Sequence, residues 1–138
     1  MDVRAGAALG ARAVRDINGI AADICFVGAC AADAQHGVRA FGFEDSVFKR
    51  ALVERSRIVV VAATNDKLGT SAPFEVMSAA EIDHMIVEHD ASTELLKYFE
   101  DVGVRVHRAS PAEDKAIVST ERDAGIVRTI SDPLRKSR

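Results

Sequence analysis

Apolar positions recur at spacings of three and four over residues 8–20, where Leu9, Ala13, Ile17 and Ile20 form one stripe. That is the pattern of a helix with a single buried face. The period then changes. Asp23-Ile-Cys-Phe-Val-Gly28 is a short unbroken apolar run ended by glycine, which predicts a strand covered on both faces in a parallel sheet. From Glu44 to Arg55 the set Val47, Phe48, Ala51 and Leu52 returns to helical spacing. Glu44 and Asp45 fall in its first turn, where carboxylates suit the positive end of the helix dipole. Arg57-Ile-Val-Val-Val-Ala-Ala63 is continuous and β-branched, a central strand, and Thr64 to Gly69 closes it as a turn. Residues 70–83 open on Pro73 and keep no period, so mostly irregular backbone is predicted, with at most one helical turn between Glu75 and Ile82. His84-Met-Ile-Val-Glu88 is a further strand. Ser92 caps a helix whose stripe is Leu95, Leu96, Phe99 and Val102 and whose end is Gly103, and Val104 to Ala109 is the last strand.

Helices and strands in this order, joined by short connections, imply right-handed crossovers and a Rossmann-like, open, mainly parallel α/β sheet with flanking helices. Beyond Ser110-Pro111 the chain turns polar, with Glu113, Asp114, Lys115, Glu121, Arg122 and Asp123 among few large apolar groups. Residues 111–138 therefore read as a tail, helical or disordered, rather than a second domain. No internal repeat or low-complexity tract is present.

At 138 residues the chain is expected to form one domain. Its 48% apolar and 28% charged content is that of a globular protein. No apolar run reaches the roughly 18 residues of a membrane span, and Arg4, Arg12, Arg15 and Asp16 interrupt the opening stretch too early for a secretory signal. A soluble, cytoplasmic protein without membrane contact is expected. In that reducing compartment Cys25 and Cys30 should remain free, buried thiols. The net charge of −3 supplies no broad basic footprint, so the chain alone is not expected to hold DNA.

In open parallel sheets, ligands sit outside the carboxyl ends of the strands. Two loops lie there. Gly28-Ala-Cys-Ala-Ala-Asp33 keeps its side chains small, so that a ligand can approach the backbone, and supplies one carboxylate. Thr64-Asn-Asp-Lys67-Leu-Gly69 offers hydroxyl, amide and ammonium together, with Lys67 suited to a phosphate; each loop also has a plain reading as an ordinary turn. Lys49 and Arg50 stand beside the stripe of the second helix, where cations usually form a solvent face. His84 and His89 bracket a strand, but a spacing of five directs them to opposite faces, and His36 and His107 stand apart in sequence. No metal site is expected. A dinucleotide fingerprint and a phosphate loop are also missing, so no cofactor is expected.

Phe26-Val-Gly28, then His36-Gly37-Val38, then Phe43-Glu44-Asp45 leading into Phe48-Lys49-Arg50-Ala51, then Val59-Val-Val-Ala-Ala63 with Lys67-Leu-Gly69 resemble, in order and spacing, the sensor domain of DeoR-type transcriptional regulators. Ile82-Asp83 and Gly103-Val104, each before a strand, continue the pattern. The resemblance covers about residues 6–109, so that 1–110 would be the carboxyl-terminal part of such a domain and the fold incomplete. It implies a fold similar to that of sugar-phosphate isomerases and CoA transferases.

The resemblance further implies a phosphorylated sugar or polyol as effector. Gly28, Ala29, Cys30 and Asp33 would face the sugar, Lys67 would meet the phosphate, and Glu44, Lys49 and Arg50 would line or brace the site. It implies a homo-oligomeric repressor that contacts DNA only through a helix-turn-helix domain that this chain lacks. Two alternatives stand beside it: a truncated remnant that oligomerises without ligand, and a sugar-phosphate isomerase-like enzyme, for which Asp33 among alanines offers only one carboxylate.

Overall fold

A computed structural model of the chain describes residues 10–111. In order, the elements are α1 (Ala11–Asn18), β1 (Ala22–Gly28), β2 (Ala31–Asp33), β3 (Gly37–Ala40), α2 (Phe43–Glu54), β4 (Ser56–Ala63), β5 (Phe74–Met77), β6 (His84–Val87), α3 (Thr93–Asp101) and β7 (Arg105–Arg108). Short 3-10 turns at Asn65–Lys67 and Ala79–Glu81 follow β4 and β5. The polar tail assigned to residues 111–138 falls, from residue 112 on, outside the described residues.

β1, β4, β6 and β7 form a parallel sheet in that spatial order. Cys25 pairs with Val59, Val27 with Val61, Val61 with Met85 and Met85 with Val106, so these side chains share one face. The sheet steps always in the same direction, and a right-handed crossover at each step carries its connection to the same side. The core lies there. Val27, Val61, Met85 and Val87 are buried with Val38, Val76 and Met77 from the connecting strands and Leu96 and Phe99 from α3. The fold is thus α/β and mainly parallel, as the periodicity implies.

Single-direction winding also overturns one expectation. The β1 run was read as covered on both faces, yet its residues alternate: Cys25 and Val27 are buried, while Ile24 is 49% and Phe26 70% exposed. With every connection on one side, the opposite face of the sheet carries none, and β1 is an edge.

Two further departures concern the connections. The loop after β1 and the stretch 70–83, read as irregular, contribute β2 and β5 to a second, antiparallel sheet with β3, in the order β2-β3-β5. Its residues Ala31, Ala32, Val38, Ala40, Val76 and Met77 are buried, so it belongs to the core side. Arg39 fastens it by donating to the carbonyls of Ala72 and Pro73. α1 departs as well: it buries no residue and leaves Ile20 beyond its end 52% exposed. α2 begins at Phe43 and buries Ser46, Ala51 and Val53, whereas Val47 of the anticipated stripe is exposed. Burial of Ser46 is tolerated because its hydroxyl donates to the Phe43 carbonyl at 2.7 Å. Ser92 caps α3 and accepts from the Leu95 N–H, as its position suggests.

Candidate functional site

The carboxyl ends of the parallel strands open on a cleft of about 280 Å³ lined by Ala29, Ala62, Ala63, Thr64, Ile86, Val87, Glu88 and Ala109. Small residues keep it open: a Cβ added at Gly28 would meet nothing within 4 Å. The two loops flanking the strand ends are joined by backbone. Ala29 N–H donates to the Ala62 carbonyl at 2.9 Å, and Gly69 N–H to the Ala32 carbonyl at 2.8 Å. The loop after β4 is in turn fixed to the end of β6, since Asn65 donates from its N–H to Glu88 at 2.6 Å and from its side-chain amide to Asp90 at 2.8 Å. Asn65 and its carboxylate partners carry no motif that the sequence alone would single out.

Cys30, just past β1, meets the first turns of α2. Lys49 donates from Nζ to the Cys30 Sγ at 3.3 Å and to Asp45 Oδ2 at 2.8 Å, and the thiol lies 3.8 Å from the same carboxylate oxygen. Cys30 is half-buried rather than buried, and both cysteines are free. Burial works to lower the Lys49 ammonium, but the hydrogen bond it donates to Asp45 and the charges of Cys30 and Asp45 outweigh it and hold the group above its ordinary value. Lys49 is therefore charged throughout the neutral range. Asp45 was assigned only a dipole role from sequence, although its spacing of four from Lys49 is the signal of a helix ion pair.

Lys67 stands on the other loop, 2.7 Å from Asp66. The hydrogen bond and charge of Asp66 raise its ammonium above the ordinary lysine value, with a smaller contribution from Cys30. Lys49 and Lys67 thus place two cations around Cys30, one partly buried and one 39% exposed.

The remaining candidates lie elsewhere. Asp33 accepts at one oxygen from the N–H groups of Gln35 and His36 and from the His36 ring, which closes the turn between β2 and β3. It also borders a separate cleft with Gly69, Leu95, Tyr98 and Asp101. Glu44 is exposed in a groove between α1 and α2. Arg50 points toward β5, pairing with Glu54 at 3.0 Å, donating to the Val76 carbonyl at 3.2 Å and reaching Glu81 at 3.6 Å. The structure therefore gathers Gly28, Ala29, Cys30, Lys49 and Lys67 around the strand ends and leaves Glu44 and Arg50 on other surfaces of α2. Histidines also meet where sequence separated them: His107, read as standing apart, lies 2.9 Å from His84.

An open parallel sheet with loops and cations at its strand ends is the arrangement in which α/β domains hold small ligands. Residues 1–89 match the family described as DeoR C terminal sensor domain, and the chain belongs to that family. It is also 29% identical over 98 residues to the HTH-type transcriptional regulator GolR of Listeria innocua, a match covering 71% of this chain and 37% of GolR. The chain thus spans little more than a third of that relative's length. Its similarity is to a sensor domain and to a transcriptional regulator. Among the described residues no helix is long and apolar enough to cross a membrane.

Proposed function

We propose that this chain is the effector-sensing module of a DeoR-type repressor, that its effector is a phosphorylated sugar or polyol, and that it works as a cytoplasmic homo-oligomer. DNA contact belongs to a helix-turn-helix domain outside these residues. The observation that carries the reading is the pair of ammonium groups, Lys49 and Lys67, beside the small-residue loop at the strand ends. A phosphate there would exchange the single Asp66 partner of Lys67 for a dianion, while the loop from Gly28 leaves room for the sugar. Effector binding would bias the oligomer between two states that differ in operator affinity.

Calorimetry of the whole chain against hexose, pentose and polyol phosphates tests this. A saturable heat with one of them, weakened about tenfold or more by Lys67→Ala, is expected. Equal affinity in the variant removes Lys67 from the site, and silence across the panel favours the ligand-free remnant. The isomerase reading is less well supported, because Asp33, the one carboxylate of the strand-end loop, already accepts three hydrogen bonds in a turn. Coupled assays for sugar-phosphate isomerisation and deamination should show no turnover.

A further inference from the structure

The face of the parallel sheet that carries no connections among the described residues holds a feature that uses none of the loop residues placed at the strand-end site. His84 on β6 pairs in register with Arg105, and Ile86 with His107 on β7, so both imidazoles project from the same side of adjacent strands. Their rings stand 5.1 Å apart between centroids with planes 33° from parallel. His84 Nδ1 and His107 Nε2 are 2.9 Å apart. Two main-chain ladders hold this spacing, since β6 is paired on both sides, with β4 and β7.

We propose that His84 and His107 form a two-imidazole chelate for a divalent transition-metal ion of the nickel, copper or zinc class. Metal–imidazole bonds run to about 2.05 Å, so two nitrogens at a right angle about one ion lie about 2.9 Å apart, and two at a tetrahedral angle about 3.3 Å. The N···N separation equals that of adjacent positions of a square-planar or octahedral ion, the geometry of copper and nickel, and lies a few tenths of an ångström short of the tetrahedral spacing of zinc. With centroids 5.1 Å apart the two nitrogens face each other, so both rings turn about their side-chain torsions to aim their lone pairs at one ion. The residues that share this face in register, Val60, Ala62, Ile86 and Arg105, include no carboxylate. The hard cations magnesium and calcium, which need oxygen ligands, are therefore poor candidates. Among the described residues no third His, Cys, Asp or Glu joins the pair, so water completes the coordination.

Both rings bind as neutral imidazoles. In the neutral pair the hydrogen that bridges Nδ1 of His84 and Nε2 of His107 is the donor ring's only N–H. On binding, that hydrogen moves through water to the far nitrogen of the same ring, so that both near nitrogens offer lone pairs to the metal and each ring carries its one N–H on the far nitrogen, His84 Nε2 or His107 Nδ1. No net proton is released from two neutral rings, and no redox step is involved. His107 is exposed and His84 half-buried, so a hydrated ion reaches them without opening the fold.

The test uses the full chain without a polyhistidine tag. Calorimetric titration with nickel, copper and zinc chlorides should give one saturable site per chain, strongest with copper. His84→Ala and His107→Ala should each weaken it at least tenfold, and His89→Ala should not. The copper(II) electron paramagnetic resonance spectrum should show hyperfine splitting from two nitrogens. The metal should also raise the Tm of the parent and of His89→Ala but not of the two site variants, because it ties β6 to β7. No one-to-one event, an unchanged affinity in His107→Ala, or a single coordinated nitrogen would reduce the two rings to a hydrogen-bonded pair and overturn the proposal.

Discussion

At Gly37 the backbone runs with φ of 73°, and a Cβ there would lie 2.0 Å from the Met77 carbonyl oxygen and 2.8 Å from the Ser78 Cα. Both obstacles are main chain, so they cannot be relieved by turning a side chain. Gly37→Ala is expected to cost about 3 kcal/mol or more, read as a lowered urea midpoint with an unchanged slope. Gly103→Ala makes the comparison: its φ is 99° but nothing lies within 4 Å, so only backbone strain of about 1 kcal/mol is expected. Equal losses in the two would mean that the contact with Met77 is not what fixes Gly37. The site was partly legible at this scale. Lys67 and the small-residue loop follow from their position after strand-like runs, and Asp45–Lys49 from a spacing of four. The meeting of Cys30 with Lys49 was not, because it depends on where α2 lands relative to the end of β1.

The 3-10 turn after β5 is held by a reciprocal cap in which Glu81 accepts from the Ser78 N–H at 2.8 Å and from its hydroxyl at 2.9 Å. Burial tends to raise the Glu81 carboxyl, but the two Ser78 hydrogen bonds and the charge of Arg50 outweigh it, and its value falls below the ordinary glutamate range. A depressed carboxylate gives stability that is present above the unfolded value and is lost as pH falls through the folded one. Glu81→Gln should therefore lower the Tm at neutral pH by the equivalent of about 1 kcal/mol, and the gap to the parent should close as the pH falls below the ordinary glutamate range. A gap of constant size down to pH 3 would show that the charge of Glu81 contributes nothing. This turn and β5 lie in the stretch where sequence suggested irregular backbone. Pro73 and the absence of alternation hide a four-residue strand, and β2 is a three-residue strand of two alanines and an aspartate. Long β-branched or helical runs announced themselves, whereas these strands exist because β3 lies between them and pairs with both.

Among the described residues, the connections of the parallel sheet lie on one face. An unbroken apolar run implies cover on both faces when a sheet is wound in both directions from a central strand. Here every step from β1 to β7 runs one way, and on the face without connections Ile24 and Phe26 of β1 are exposed. Beyond β1 no described strand accepts its outward N–H and C=O groups, and from Ile24 to Val27 there is no charge or proline to block a partner strand. An edge of this kind is a pairing template. The homo-oligomer proposed above would use it: an antiparallel copy of β1 about a two-fold axis satisfies both edges and sets Ile24 and Phe26 of one chain beside those of the other. Sedimentation at micromolar concentration should then show a dimer. Phe26→Lys should return the chain to a folded monomer whose Tm, unlike the parent's, does not rise with protein concentration, because the Phe26 side chain is largely exposed and a lysine on an edge strand opposes pairing. A parent chain that sediments as a monomer, or a dimer that survives Phe26→Lys, would assign the β1 edge to something other than a second copy.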